Sequence, residues 1–150
     1  MRGGEEAEAI PLAPAAGTRP IRIVAAGGGT GLPRVLAGLA AGVEPWEGRP
    51  VEVTALVTTA DDGGSSGALR RAYGVPAPGD ARNCLVALAA GSSPVAAAFQ
   101  HRFEGEDGRA GHTVGNLFLT ALARELGDFG RAIAVAERLV GARGRVLPAA

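Results

Sequence analysis

Five residues near the start constrain this chain more than any others: Gly27, Gly28, Gly29, Thr30 and Gly31, four of them glycine. They stand between two patterned runs. Before them, "IRIVAA" places Ile21, Ile23 and Val24 in a short apolar strand. After them, "LPRVLAGLAAG" repeats Leu32, Val35, Leu36 and Leu39 at helical spacing, with Gly42 as its stop. "RPVEVTALVTT" then alternates Val51, Val53, Ala55 and Val57 with Glu52, Thr54 and Leu56, the pattern of a second strand. Strand, helix and strand in this order make a βαβ unit, with a parallel pair and a right-handed crossover.

The glycines permit positive φ and close approach of the backbone. The helix behind them offers unpaired N–H groups and a partial positive charge. Together they form a site suited to phosphate, and the turn Gly28, Gly29, Thr30, Gly31 is the first candidate contact. The dinucleotide fingerprint is incomplete, because Arg34 occupies its third glycine position when the motif starts at Gly29. That disfavours an NAD(P)-dependent dehydrogenase. All 15 basic residues are arginine. A phosphate-binding lysine or a lysine Schiff base is therefore excluded within this chain.

The stretch "TTADDGGSSGALRR" follows the second strand, on the same edge as the glycine turn. Asp61 and Asp62 can bond ribose hydroxyls, or hold Mg²⁺ beside a phosphate. Gly63 and Gly64 free the backbone, Ser65 and Ser66 can donate to an anion, and Arg70 and Arg71 can fork onto one. A solvated loop closed by an Asx-turn is the plainer alternative. Only "ALRRAYG" within it reads as a short helix.

Further along, Asp80 reads as the N-cap of a helix over 81–90, or as a ligand contact beside Arg82 and Asn83. Ser93 and Pro94 open the next helix. "EGEDGRAG" is a polar loop. "HTVGNLFLTALAREL" is a helix with Val114, Leu117, Phe118, Ala121 and Leu122 on its apolar stripe. His112 and Asn116, four apart, share a face opposite that stripe and are candidate ligand contacts. His101 reads as structural. Asp128 caps a last helix with the stripe Ala132, Ile133, Ala136, Leu139 and Val140, and "GRVLPAA" begins a third strand.

The expected fold is α/β: a Rossmann-like parallel sheet flanked by helices. Two or three strands against four or five helices is a lopsided inventory. It leads to the expectation that residues 21–150 are the N-terminal part of a larger domain, behind a disordered leader over 1–20. The net charge of zero argues against nucleic acid as a partner. No apolar run is long enough to span a membrane. The leader lacks the apolar core of a secretory signal, so the expected compartment is the cytoplasm. The single cysteine, Cys84, excludes an internal disulfide and a cysteine-cluster metal site. It reads as a small buried side chain. Ser65 and Ser66 lack the G-x-S-x-G elbow of a hydrolase.

Four segments together carry a family resemblance: "AAGGGTGLPRVLAGL", "VTTADDGGSSGALRRAYGVPAPGDARNCLVALA", "FQHRFEG" and "AGHTVGNLFLTAL". They resemble the YvcK-type gluconeogenesis factors of the wider CofD-like family. The resemblance implies a Rossmann-like domain about twice as long as this chain. It also implies a binding protein for nucleotide sugars such as UDP-N-acetylglucosamine, needed for cell shape and envelope synthesis on gluconeogenic carbon, with no settled catalysis. The nucleotide-binding positions it implies are Gly28 to Gly31, Asp61 to Ser66, Arg82, Asn83, His112 and Asn116. A homo-oligomer or a cytoplasmic protein partner is compatible with it. The related 2-phospho-L-lactate transferases of deazaflavin cofactor synthesis share the glycine turn and the paired aspartates. In that alternative, Asp61 or Asp62 holds Mg²⁺. The residues after the aspartates, "GGSSGALRRAYGVPAPGDARN", depart from the transferase pattern and favour the binding protein.

Overall fold

The computed structural model describes residues 19–41, 48–91, 93–105 and 111–149. Three parallel strands, β1 (Ile21–Gly27), β2 (Val51–Val57) and β3 (Arg145–Pro148), lie in the order β1-β2-β3. Helix α1 (Gly31–Ala41) joins the first two. Five helices separate the second from the third: α2 (Gly64–Tyr73), α3 (Gly79–Ala87), α4 (Pro94–Gln100), α5 (Val114–Leu126) and α6 (Phe129–Val140).

The strand order explains where the core lies. Successive strands are added in one direction, so two right-handed crossovers place their helices on the same face. That face carries Val53, Ala55, Val57 and Val146, each buried, under Leu36, Leu85, Leu88 and Ile133. On the opposite face Val24, Leu56 and Leu147 are exposed beside Arg22 and Glu52. Strand order does not reverse among the described strands, so the functional edge is set by the carboxyl ends of β1 and β2. Thr58 N donates to Gly27 O at 2.9 Å, holding those two ends in step.

Several expectations change. Helix α2 begins at Gly64, four residues ahead of "ALRRAYG", so Gly64, Ser65, Ser66 and Gly67 form its first turn rather than a loop. These are poor helix formers, but tertiary contacts override propensity. A Cβ on Gly67 would overlap the Asp62 carbonyl, so only glycine lets the turn close over that backbone. Gly74, at φ +66°, ends the helix in a left-handed cap. Helix α3 begins at Gly79 behind Pro78 and has no side-chain cap, so Asp80 lies inside the first turn and is not the N-cap.

Helix α5 turns a different face inward from the apolar stripe. Its buried residues are Gly115, Asn116, Leu119, Thr120 and Ala123, whereas Ala121 is exposed and Leu117 is half-buried. At Gly115 close packing leaves room only for glycine. A Cβ on Gly115 would stand 2.8 Å from Arg82 Cγ and 2.9 Å from Phe99 Cδ1. His112 precedes the helix, and Thr113 is the cap, its Oγ1 accepting from Asn116 N at 3.3 Å. Ser93 and Asp128 cap α4 and α6 as expected, accepting from Ala96 N at 3.3 Å and Arg131 N at 2.7 Å. In the α6 stripe Leu139 is exposed, and Phe129 takes its place in the core. Gly42, most of the leader and most of "EGEDGRAG" lie outside the described residues.

Candidate functional site

The glycine turn and the β2–α2 loop leave neighbouring strands on one edge, but their N–H groups meet different partners. Gly29, at φ +61°, donates its N–H to Asp80 Oδ2 at 2.8 Å. The same oxygen accepts from Thr58 Oγ1 at 3.4 Å. Gly28 is clamped beneath this pair: a Cβ there would overlap Thr58 Oγ1 and stand 2.7 Å from Asp80 Oδ2. Asp80 therefore links the first turn of α3 to the ends of β1 and β2. Its carboxylate already occupies part of the anion site that the glycine turn offers.

The β2–α2 loop builds its own entry to a helix. Asp61 Oδ1 accepts from Gly63 N at 2.9 Å, an Asx-turn. Asp62 turns away into an exposed ion pair with Arg70, while Arg71 Nη1 donates to the Asp62 carbonyl at 3.2 Å. The two aspartates thus separate, and only Asp61 faces the cleft described next. They do not fit one shared Mg²⁺ ion. Among the described residues, no three of His, Cys, Asp and Glu gather closely enough to hold a metal.

A polar cleft of about 280 Å³ opens between the N-terminal turns of α2 and α3 and the start of α5. Asp61, Gly63, Gly64, Ser65, Ser66, Gly79, Asp80, Arg82, Asn83, Arg102 and Asn116 line it. Eight of these are residues that both the sequence and the resemblance mark as ligand contacts, Asp61, Gly63, Gly64, Ser65, Ser66, Arg82, Asn83 and Asn116, and Asp80, read as a cap or a contact, is a ninth. His112 lies in an adjoining hollow with Gly64, Ser65 and Arg102. Thr30 lines a separate hollow beside Arg34 and Asn83. Gly28, Gly29, Gly31 and Asp62 do not line the cleft.

Two side chains in the cleft wall are buried with unmet hydrogen-bonding capacity. Arg82 is 7% exposed; its Nη2 donates to Asn83 Oδ1 at 2.7 Å, and its Nε has no partner. Burial, and next the like charge of Arg102, push the Arg82 guanidinium below its ordinary range, while Asp80 pulls the other way. Asn116 is 2% exposed, so its expected place on the open face of the helix is corrected to the core. Its Nδ2 donates to Ser65 Oγ at 3.0 Å, and its Oδ1 has no partner. A buried polar atom left unpaired costs about 1–3 kcal/mol, which marks this cleft as a place that a ligand can complete.

Ser65 joins the two helices. Its Oγ accepts from Asn116 Nδ2 and lies 2.8 Å from His112 Nδ1, to which its own proton can be donated. His112 and Asn116 share Ser65 Oγ as a partner, but they do not share an open helix face, because His112 stands outside the helix and Asn116 is buried. Cys84 is fully buried under Asp80, and burial chiefly, then that carboxylate, push its thiol up to about 12. It has the inert character of a packed side chain. His101 stacks edge-on against Phe103, with centroids 5.4 Å apart.

Sequence reasoning missed Arg102 and the packing roles of Gly67, Gly79 and Gly115. Arg102 follows α4 in an irregular segment, where no period predicts its direction. An isolated bridge to Thr113 and a bond from Nη1 to the Gly111 carbonyl bring it to the cleft. Each of the three glycines is needed because something lies where a Cβ would stand: the Asp62 carbonyl, Ser66 Oγ and the Arg82 stem. Such tertiary contacts leave no local signal.

The chain matches the family described as 2-phospho-L-lactate transferase CofD over residues 23–150, and it belongs to that family. It is 47% identical over 127 residues to the gluconeogenesis factor of Halalkalibacterium halodurans, covering 85% of this chain and 37% of that one. It is 46% identical over 134 residues to the gluconeogenesis factor of Bacillus subtilis, covering 89% of this chain and 40% of that one. A crystal structure of a Bacillus halodurans protein superposes with a TM-score of 0.76 at 45% identity, covering 88% of this chain and 40% of the other. The chain therefore spans well under half the length of these relatives.

Proposed function

We propose that this chain is the nucleotide-sugar-binding portion of a gluconeogenesis factor, with a ligand of the UDP-N-acetylglucosamine type in the cleft between α2, α3 and α5. On this reading it is a cytoplasmic regulator that couples ligand level to cell shape and envelope synthesis on gluconeogenic carbon, and it catalyses no reaction on the ligand. The observation that carries the proposal is the buried, half-satisfied Arg82 in a cleft that also gathers Asp61, Ser65 and Asn116. An arginine planted among helix N-termini favours phosphate, and the carboxylate and amide oxygens favour hydroxyl and N–H groups beside it. The similarity to two gluconeogenesis factors supports this reading over the transferase.

The family description keeps the transferase as the competing outcome. Calorimetric titration with UDP-N-acetylglucosamine, followed by product analysis, separates the two. Saturable binding with the ligand recovered intact supports the regulator. Mg²⁺-dependent consumption of a nucleotide-activated phospholactate in the presence of a deazaflavin acceptor overturns it.

A further inference from the structure

We infer that the phosphoryl end of the ligand is held at the Arg82–Arg102 side of the cleft, on the N-terminal turns of α2 and α3, and not at the glycine turn after β1. This deepens the nucleotide-sugar reading and rests on it for the remainder of the ligand. The subsite itself takes a phosphate or diphosphate ester.

The glycine turn is the conventional place to look, but Asp80 already accepts the Gly29 N–H and stands over Gly28. A phosphate there meets a carboxylate at hydrogen-bonding range. Two like charges at that distance repel, even in an exposed corner, and the N–H can serve only one of them at full strength.

The Arg82 side of the cleft differs, although Asp61 and Asp80 line the same cleft: the Asp80 carboxylate is engaged by Gly29 N–H and Thr58 Oγ1, at the glycine turn. Neither α2 nor α3 has a side-chain cap, although each has nine or more residues. Their first-turn N–H groups and partial positive charge are available to an anion. Helix ends alone would not define a site, but Arg82 supplies a second and independent sign. It is 7% exposed, it forms part of the cleft wall, and its Nε has no partner. Arg102 lines the same wall, so two guanidinium groups share it with no carboxylate between them in any ion pair of the described residues. Gly115 is required where the Arg82 stem passes α5, so the fold is built around that side chain. The acidic groups on the cleft, Asp61 and Asp80, are suited to hydroxyl groups. The unpaired Asn116 Oδ1 accepts a further hydroxyl or amide N–H. The ligand class is thus a phosphate ester whose sugar carries donors close to the phosphate.

Pyrophosphate is the probe, because it tests the subsite without the sugar or the base. The ¹⁵N-labelled protein is titrated with pyrophosphate at constant ionic strength. The expected result is saturable shifting of the Gly64, Ser65 and Asp80 amides, with Gly29, Thr30 and Gly31 moving little. Arg102→Gln should weaken binding about tenfold, in line with the loss of one charge-assisted bond, with the melting temperature unchanged because Arg102 is exposed. Arg82→Lys, which keeps the charge but not the fork, should weaken it several-fold. Shifts centred on Gly29 to Gly31, no binding, or an Arg102→Gln protein that binds like the parent would each overturn the inference. UDP-N-acetylglucosamine is titrated separately. Arg102-dependent pyrophosphate binding without nucleotide-sugar binding sinks the functional reading and leaves the subsite standing. Nucleotide-sugar binding indifferent to Arg102→Gln does the opposite.

Discussion

Two glycine-rich segments leave the same edge of the sheet and start helices, yet they are built for different ends. After β1, Gly28 and Gly29 fold beneath the protein's own carboxylate, with Asp80 bonded at 2.8 Å. After β2, Gly63 and Gly64 lead into a helix whose N-terminus has no side-chain cap and faces Arg82 across a cleft. The first is richer in glycine and looks more like a phosphate loop. The second retains the unmet capacity. Glycine density shows where the backbone must turn tightly or approach something closely. Each turn meets a carboxylate of the protein, but Asp61 takes only the Gly63 N–H ahead of α2 and leaves the first-turn N–H groups of that helix without a side-chain cap.

The largest expected effect separates the reasons for glycine in the two segments. At Gly67 a Cβ would collide with the Asp62 carbonyl, a backbone atom that cannot swing aside. Gly67→Ala should cost about 3 kcal/mol or more, the upper range for overpacking, and α2 should fray with it. Gly29 has open space around its Cβ position and only its φ of +61° to protect. Gly29→Ala should cost roughly 1–2 kcal/mol, the strain of a left-handed non-glycine residue. Urea denaturation of both variants checks the ordering. Equal losses would mean that the Gly67 contact is looser than the structure shows.

The next effect concerns Asp80 itself. Asp80→Asn keeps an acceptor for Gly29 N–H and Thr58 Oγ1 but removes the charge. Pyrophosphate affinity should rise about three- to tenfold, as expected when roughly one unit of repulsion is relieved on the edge of a solvated cleft. The Gly29 to Gly31 amides should then begin to respond to the ligand. If affinity is unchanged and those amides stay silent, Asp80 serves only to tie α3 to the strand ends. The proposed difference between the two turns would then have no electrostatic basis.

How far this was legible in the sequence follows from the range of each interaction. The βαβ unit is local, and its periodicity places β1, α1 and β2 correctly, with β3 after them. Asp61, Gly63 to Ser66, Arg82, Asn83 and Asn116 line one cleft, whereas Asp62 of the same loop and Gly28, Gly29 and Gly31 do not line it. The buried face of α5 is a different matter. Hydropathy selects Leu117, Phe118 and Ala121, but the fully buried residues are Gly115, Asn116, Leu119, Thr120 and Ala123; at Gly115 only glycine fits against Arg82 and Phe99, while Phe118 packs on Phe99 from a half-buried position. Asp80 has the residue type and position of a cap, and it acts instead on a turn 51 positions earlier in the chain. Nothing in a linear pattern reports such a contact.

The smallest effect divides the paired aspartates, which adjacency makes look equivalent. Asp62 pairs with Arg70 in solvent, with 70% of its side chain exposed. Exposed pairs contribute at most about 1 kcal/mol. Asp62→Asn should therefore leave nucleotide-sugar affinity within about twofold, with a stability loss inside that limit. Asp61 lines the cleft and closes the Asx-turn onto Gly63 N. Asp61→Ala should cost about 1 kcal/mol of stability, as for a lost N-terminal cap. It should also weaken the nucleotide sugar several-fold, because a ribose or sugar hydroxyl loses its acceptor. Calorimetry on the two variants side by side decides the matter. A larger affinity loss from Asp62→Asn would mean that the Arg70 pair opens when ligand arrives, and that the second carboxylate turns inward to meet it.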